Sequence, residues 1–276
     1  MTNQFNASDE RFQADLLRAK AQSLKAWGRV SDAEQALRLA IVTDSTCSEA
    51  YYDLARLKGD SQGGSREPII QLLEESVRQR PDNIVAIRFL CLYLGGQRQY
   101  DRIIDLVENS MKLEILRDEP FDVLVGLFLR RIAFAYEKKG DFDSAAKVKL
   151  DLDEQLSAAK FDAEKEDSKD GYKERADHAL KAGDVQGAIQ SLRRGILEKA
   201  DPYPLEDSLW ERLSRAYLAI EKNREALACL LLLEDYSPFR AATANKLVTI
   251  SSLYRKLGNE AAAAYYSQLF MKSAIQ

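Results

Sequence analysis

The chain has one histidine, His178, and three cysteines, Cys47, Cys91 and Cys229, in 276 residues. No Cys-x-x-Cys pair occurs, so the ligand spacing of recurrent zinc sites is missing. Thiols this far apart and odd in number argue against a disulfide framework and for a reducing compartment. A Walker-type phosphate loop and a dinucleotide-binding glycine fingerprint are also missing. The two Gly-Gly steps, Gly63-Gly64 and Gly95-Gly96, read instead as helix reversals. Long apolar runs are absent: the segment from Ile84 to Leu94 spans 11 residues and contains Arg88. A bilayer-crossing helix needs about 20 apolar residues, so direct membrane insertion is not expected. Residues 1–20 are polar and lack the apolar core of a secretion signal. Together these features predict a cytoplasmic protein.

Charge of either sign is balanced. Forty Lys and Arg stand against 44 Asp and Glu, a formal net charge of −4 that gives no general reason to expect nucleic-acid binding. Apolar residues at 46% are enough for a continuous core, and charged residues at 30% leave a polar exterior. Paired carboxylates do not assemble into acid–base machinery. Asp151 and Asp153 are two apart and face different sides of a helix, while Glu164 and Asp167 lie in a densely charged stretch without apolar shielding. Cys91 and Cys229 sit in apolar runs as small core residues, Cys47 has no activating histidine nearby, and His178 lies among Ala176, Ala179 and Leu180. No catalytic residue, metal ligand or cofactor site is predicted.

What the chain does contain is a period. Ala33, Ile69, Ile103, Ala145, Ala188, Ala226 and Ala263 each begin an apolar helical run, at spacings of 36, 34, 42, 43, 38 and 37 residues. Self-similarity at this length, without strand-like alternation, predicts stacked helical pairs. The first pair is the template: Phe12, Leu16, Leu17, Ala21 and Leu24 recur at helical spacing, Gly28 breaks the run, and a second helix carries Ala33, Ala36, Leu37 and Ala40. Six further pairs follow, with turns at the 59–65 segment, Gly95-Gly96, Gly140, Gly183, Glu221 and Gly258. Small anchors allow close helix approach while larger neighbours fill the seam. The polar stretch 160–175 is expected to be a helix extension or a hinge, dividing a single 1–276 array into functional parts 1–160 and 172–276.

The pattern resembles the tetratricopeptide-repeat family. Leu129, Ile132-Ala133, Tyr136, Gly140, Phe142 and Ala145 carry the resemblance in the fourth pair. Trp210, Leu213, Tyr217 and Ala226, with Pro238 at the exit, carry it in the sixth, and Leu247, Ile250, Tyr254, Gly258 and Ala263 in the seventh. The resemblance implies an all-α, right-handed helical-hairpin solenoid of about seven pairs, in which the first helix of each pair lines a concave groove. Carried onto this chain, that register selects Arg18 and Gln22, Tyr52 and Arg56, Arg88, Arg130, Lys173 and Asp177, Glu211 and Arg215, and Ser252 and Arg255. Arginine can hold carboxylates through paired hydrogen bonds, so an acidic peptide or protein C-terminus is the expected ligand of the first four pairs. The chain departs from the Lys-Asn-Asn-Lys-Arg clamp of the chaperone-reading members, having Arg18, Gln22, Asp53 and Arg88 at the matching faces.

The resemblance therefore implies a non-enzymatic adaptor or scaffold with protein or peptide partners. Two alternatives remain: a regulatory or substrate-delivery subunit of a catalytic assembly, and a self-assembling scaffold. For the latter, Tyr265, Tyr266, Leu269, Phe270 and Met271 offer either a terminal cap or a seam between copies. The cap is the expectation, because Lys272 and Gln276 end the segment.

Overall fold

The computed structural model describes residues 9–60, 66–120, 122–158, 171–198, 207–236 and 243–274. The described residues form fourteen α-helices, a short 3-10 helix and no strand. The helices form seven pairs: α1 (Asp9–Ala26) with α2 (Val30–Thr43), α3 (Ser48–Asp60) with α4 (Arg66–Gln79), and α5 (Ile84–Gly96) with α6 (Tyr100–Ser110). The 3-10 helix, Glu114–Arg117, precedes α7 (Val123–Lys139) and α8 (Phe142–Ala158). Then come α9 (Gly171–Lys181) with α10 (Val185–Glu198), α11 (Asp207–Ala219) with α12 (Asn223–Tyr236), and α13 (Thr243–Lys256) with α14 (Glu260–Ala274). This is the all-α organisation of successive helical pairs that the period predicts. The question of a helix extension or hinge at 160–175 falls on residues that lie mostly outside those described; α9 begins at Gly171.

All seven anchors are buried, from Ala33, Ala188, Ala226 and Ala263 at 0% exposure to Ile69 at 3%. Six of the turns share one hydrogen-bond design. The backbone N–H of Arg29, Gln99, Asp141, Asp184, Lys222 and Asn259 donates to the carbonyl five residues back, of Leu24, Leu94, Tyr136, Ala179, Tyr217 and Tyr254 respectively. Such a closure needs a left-handed residue just before the donor. Glycine supplies it at 28, 140, 183 and 258, but Arg98 and Glu221 do so at φ 59°. The third turn thus differs from expectation, since Gly95 and Gly96 end α5 and Arg98 makes the reversal. A side chain in this region costs roughly 1 kcal/mol relative to glycine. Glu221→Gly is therefore expected to stabilise the chain by up to about 1 kcal/mol, visible as a raised urea midpoint; an unchanged or lowered midpoint would show the turn to be unstrained.

The helices gather into two compact units, Met1–Ala86 with Leu230–Gln276, and Ile87–Cys229. In the first unit, helix α1 packs on α2, α3 and α14, so the first and last pairs are in contact. A linear reading, with each pair touching only its neighbours in sequence, misses this. Tyr265 of α14 meets Phe12 of α1 edge-on, with ring centroids 5.4 Å apart, and its hydroxyl donates to Asp15. Tyr266 and Leu269 are buried and Met271 is exposed, so α14 does cover an internal face. A hydroxyl cluster ties the second pair to the start of the third: Ser48 Oγ donates to the Ser76 carbonyl at 2.8 Å, and Asn83 Nδ2 donates to Ser48 Oγ at 2.8 Å.

In the second unit, α7 packs against α6, α8 and α10. Gly126 makes the approach of α10 possible: a Cβ there would lie 2.0 Å from Leu197 Cδ1 and 3.3 Å from Leu152 Cδ1. Trp210, Leu213 and Tyr217 of α11 are buried, filling the seam predicted for the sixth pair.

Candidate interaction surfaces

The register residues do not behave as a uniform row of exposed side chains. In the first unit, Arg18 is 3% exposed. Its Nε donates to Asp53 Oδ2 at 2.8 Å and its Nη1 to Asp15 Oδ1 at 2.9 Å. Tyr52 is 1% exposed. Both are therefore corrected from ligand-reading candidates to interior groups: a guanidinium this buried and already paired with two carboxylates is closed to an external ligand. Gln22 and Arg56 are half-buried, and Arg56 acts electrostatically on Asp53. Ser252 and Arg255 are exposed, with Arg255 3.6 Å from Glu260.

Arg18 belongs to a buried ion network that the sequence reading did not assemble. Arg11 Nη2 donates to Glu49 Oε2 at 2.6 Å, and Arg80 reaches the other oxygen of Glu49. Glu49 and Asp53 are 3% and 2% exposed. Burial opposes the charge on Arg18, but Asp53 and Asp15 more than offset it and hold its pKa well above the ordinary value. Burial likewise opposes ionisation of Glu49, yet Arg80, Arg11 and Arg18 win and hold it well below the usual carboxylate range. Asp53 goes the other way: burial dominates its Arg18 contact, and its pKa is raised.

These directions carry a pH consequence. A carboxyl that is more acidic in the folded chain stabilises the fold above its unfolded pKa, near 4.3 for Glu, and loses that contribution as pH falls towards the folded value. Asp53 has the opposite sign, its contribution fading as pH rises through its elevated folded pKa. Glu49→Gln is expected to lower the melting temperature at pH 7 and to flatten its decline below about pH 4. Parallel melting curves for the two proteins across pH 3–7 would contradict the assignment.

A sequence signal for this network exists. Arg18 and Asp53 are 35 residues apart, one repeat, and so occupy equivalent positions on successive first helices. The same separation joins Lys25 to Asp60 and Arg212 to Asp177. Opposite charges one repeat apart at the same register are cross-repeat ion pairs.

The second unit holds the remaining candidates. Arg88 of α5 is half-buried, and both it and Arg131 of α7 act electrostatically on the Cys91 thiol. Arg130 donates from Nη1 to the Leu197 carbonyl, near the C-terminal end of α10, where unsatisfied carbonyls and the helix dipole favour a cation. Lys173 is half-buried, Asp177 is paired with Arg212, and Glu211 accepts from Arg215 Nη2 at 2.6 Å. A second long-range cluster joins Arg193 of α10 to the segment before α7. Arg193 Nη2 donates to Asp122 Oδ2 at 2.6 Å and Nη1 lies 3.0 Å from Glu119, which Lys222 Nζ also approaches at 2.8 Å.

The three thiols are buried. Burial pushes Cys91 up to about 12 and raises Cys47 and Cys229 well above the ordinary thiol value, so none is a thiolate nucleophile near neutrality. Among the described residues no group of three or more His, Cys, Asp or Glu is placed to hold a metal ion, and no helix is long and apolar enough to cross a membrane.

No family model and no curated protein matches the chain. Solved structures do. A tetratricopeptide repeat protein from Parabacteroides merdae aligns with a TM-score of 0.43 and 14% identity, over 95% of this chain and 93% of that one. PilF of Pseudomonas aeruginosa aligns at 0.39 and 10%, over 96% and 93%. A structure of Naa15/Naa10 bound to HypK-THB aligns at 0.41 and 15%, over 93% of this chain but 37% of the matched one.

Proposed function

We propose that the chain is a non-catalytic protein-interaction scaffold or adaptor working in the cytoplasm, whose second unit reads an acidic peptide segment or protein C-terminus through Arg88 and Arg131. The observation that carries this reading is that two half-buried arginines, Arg88 of α5 and Arg131 of α7, both act electrostatically on the Cys91 thiol. Both side chains are half-buried, and guanidinium matches carboxylate geometry. Arg130 has a different role here, capping α10 through Leu197.

Fluorescence anisotropy with a labelled Glu- and Asp-rich peptide bearing a free C-terminus, and with its Gln/Asn counterpart, tests the reading. The acidic peptide is expected to bind, with affinity falling as salt rises. Arg88→Gln and Arg131→Gln should each weaken it about tenfold, roughly 1.4 kcal/mol, with helical content preserved. Arg130→Gln should leave binding intact and lower stability by about 0.5–1 kcal/mol through the lost cap. Equal binding of both peptides, or indifference to the Arg88 and Arg131 substitutions, would sink the acidic-ligand assignment.

A further inference from the structure

Phe142 carries the repeat pattern in the fourth pair, yet its side chain is not core. The residue is 69% exposed, and Leu150 of the same helix is 60% exposed. Ala146 between them is exposed as well. Spaced at i, i+4 and i+8, the three form one apolar stripe along α8. The other pairs do not repeat it. Five residues beyond the anchor, where α8 has Leu150, the first, second, third and fifth pairs have Arg38, Glu74, Glu108 and Arg193. Four residues beyond the anchor the pattern inverts. Leu37, Leu73, Val107, Leu192 and Leu230 are buried there, whereas α8 has the exposed Lys149, paired with Glu137. Helix α8 packs on α7, and Ala145 and Leu152, away from the stripe, are its buried residues.

The charges bordering the stripe are self-complementary. Asp143 and Lys147, four apart and both exposed, lie on one side of it. A two-fold axis beside Ala146, perpendicular to the helix, sets a second α8 antiparallel to the first and brings like sides together. Asp143 is three residues before Ala146, and Lys147 of the second copy is one residue beyond its own Ala146. The two then stand about 3 Å apart along the helix direction, within easy reach of an ion pair. The pair forms twice, as the two-fold requires. Phe142 of each copy meets Leu150 of the other, and the small Ala146 at the crossing lets the helices approach.

We propose that the Phe142–Ala146–Leu150 face of α8 is a self-association surface, on which a second copy of this chain docks the same face, antiparallel, with reciprocal Asp143–Lys147 ion pairs. The occupant is a second copy because a partner of one sign satisfies one of the two charges and opposes the other. The apolar stripe supplies the association, and the exposed ion pairs set its orientation. One stripe is short beside the about 1,600 Å² of a standard interface, so the dimer is a weak one. It uses none of the residues of the acidic-peptide reading and stands independently of it.

Sedimentation equilibrium on the full chain, from roughly 1 to 200 µM, reads the association directly. The wild type is expected to pass from monomer to dimer across this range and no further. Leu150→Glu puts a charge opposite Phe142 of the other copy and should weaken dimerisation by at least about tenfold. Asp143→Lys and Lys147→Asp each turn two attractive contacts into two repulsive ones, so each variant alone should dimerise about tenfold more weakly. An equimolar mixture of these two restores opposite charges at both contacts and should recover wild-type association as a heterodimer. Damage to the helix cannot produce that recovery. All three side chains are exposed, so helical content should be unchanged in each variant. The proposal is overturned if the wild type stays monomeric throughout, which leaves the stripe to a different partner or to none. It is equally overturned if Leu150→Glu dimerises like wild type, or if the mixture associates no better than its separate components.

Discussion

Arg18→Ala is expected to lower the stability of the first unit by about 3–5 kcal/mol. The substitution takes from Asp15 and Asp53, both under 8% exposed, the cation that both of them contact; Asp15 keeps Arg11 at 3.4 Å, while Asp53 loses its ion pair. Removing one member of a buried ionic group leaves uncompensated charge in a medium that solvates it poorly, and that penalty exceeds what the pair contributed when intact. The effect should appear as faster amide exchange in α1 and α3 and as a lower urea midpoint read from the same segments. Arg215→Ala is the control: that side chain is 70% exposed and pairs with Glu211 only along its own helix, so a change within about 0.5 kcal/mol is expected. Replacing Asp15, Arg18 and Asp53 together by apolar residues of similar volume should recover much of the loss, because the ionic group is costly to break but not intrinsically strong. If Arg18→Ala behaves like Arg215→Ala, the network is not buried in solution.

Arg193→Ala is expected to cost about 2–3 kcal/mol in the second unit. Its side chain is 16% exposed and joins α10 to Asp122 and Glu119, which lie 71 and 74 residues earlier in the chain. Asp122 already has one buried oxygen, Oδ1, without a hydrogen-bond partner among the described residues, so loss of Arg193 also removes the hydrogen bond to Oδ2 and leaves the carboxylate poorly compensated. Tyr217 also loses a donor at 3.4 Å from its hydroxyl. Exchange at the amides of residues 114–125 and in α10 should rise together. Arg193→Lys should recover only part of the loss, since a single ammonium cannot reproduce the fork that reaches two carboxylates at once. Confinement of the change to α10 would refute a tie between the two segments.

Both arginines show why the fold was more legible than the site. Anchors such as Ala33 and Ala226 repeat at a fixed spacing, and Gly28, Gly140, Gly183 and Gly258 punctuate the turns, because local backbone geometry and helix approach impose those residue types directly. The repetition also revealed Glu221 as the exception at a position where the backbone is left-handed. Helical periodicity says which face of α1 carries Asp15 and Arg18, but Ala14, Ala19 and Ala21 beside them are equally compatible with an exposed rim or an interior. A charged residue at a helix face reads as solvated until its counter-ion is found. For Arg18 the counter-ion is one repeat away, so the sequence holds a trace of it; for Arg193 no periodic rule connects α10 to Asp122.

The sequence by itself determined the all-α class, the seven pairs, the buried anchors and the reversal points, since each follows from interactions within about one repeat of chain. Only the tertiary structure decided that Arg18 and Tyr52 are interior, that Arg130 caps α10, and that α14 covers α1. Those outcomes depend on which surfaces meet across up to 250 residues of intervening chain. Side-chain chemistry sets the cost of each such meeting, but chain topology selects the partners.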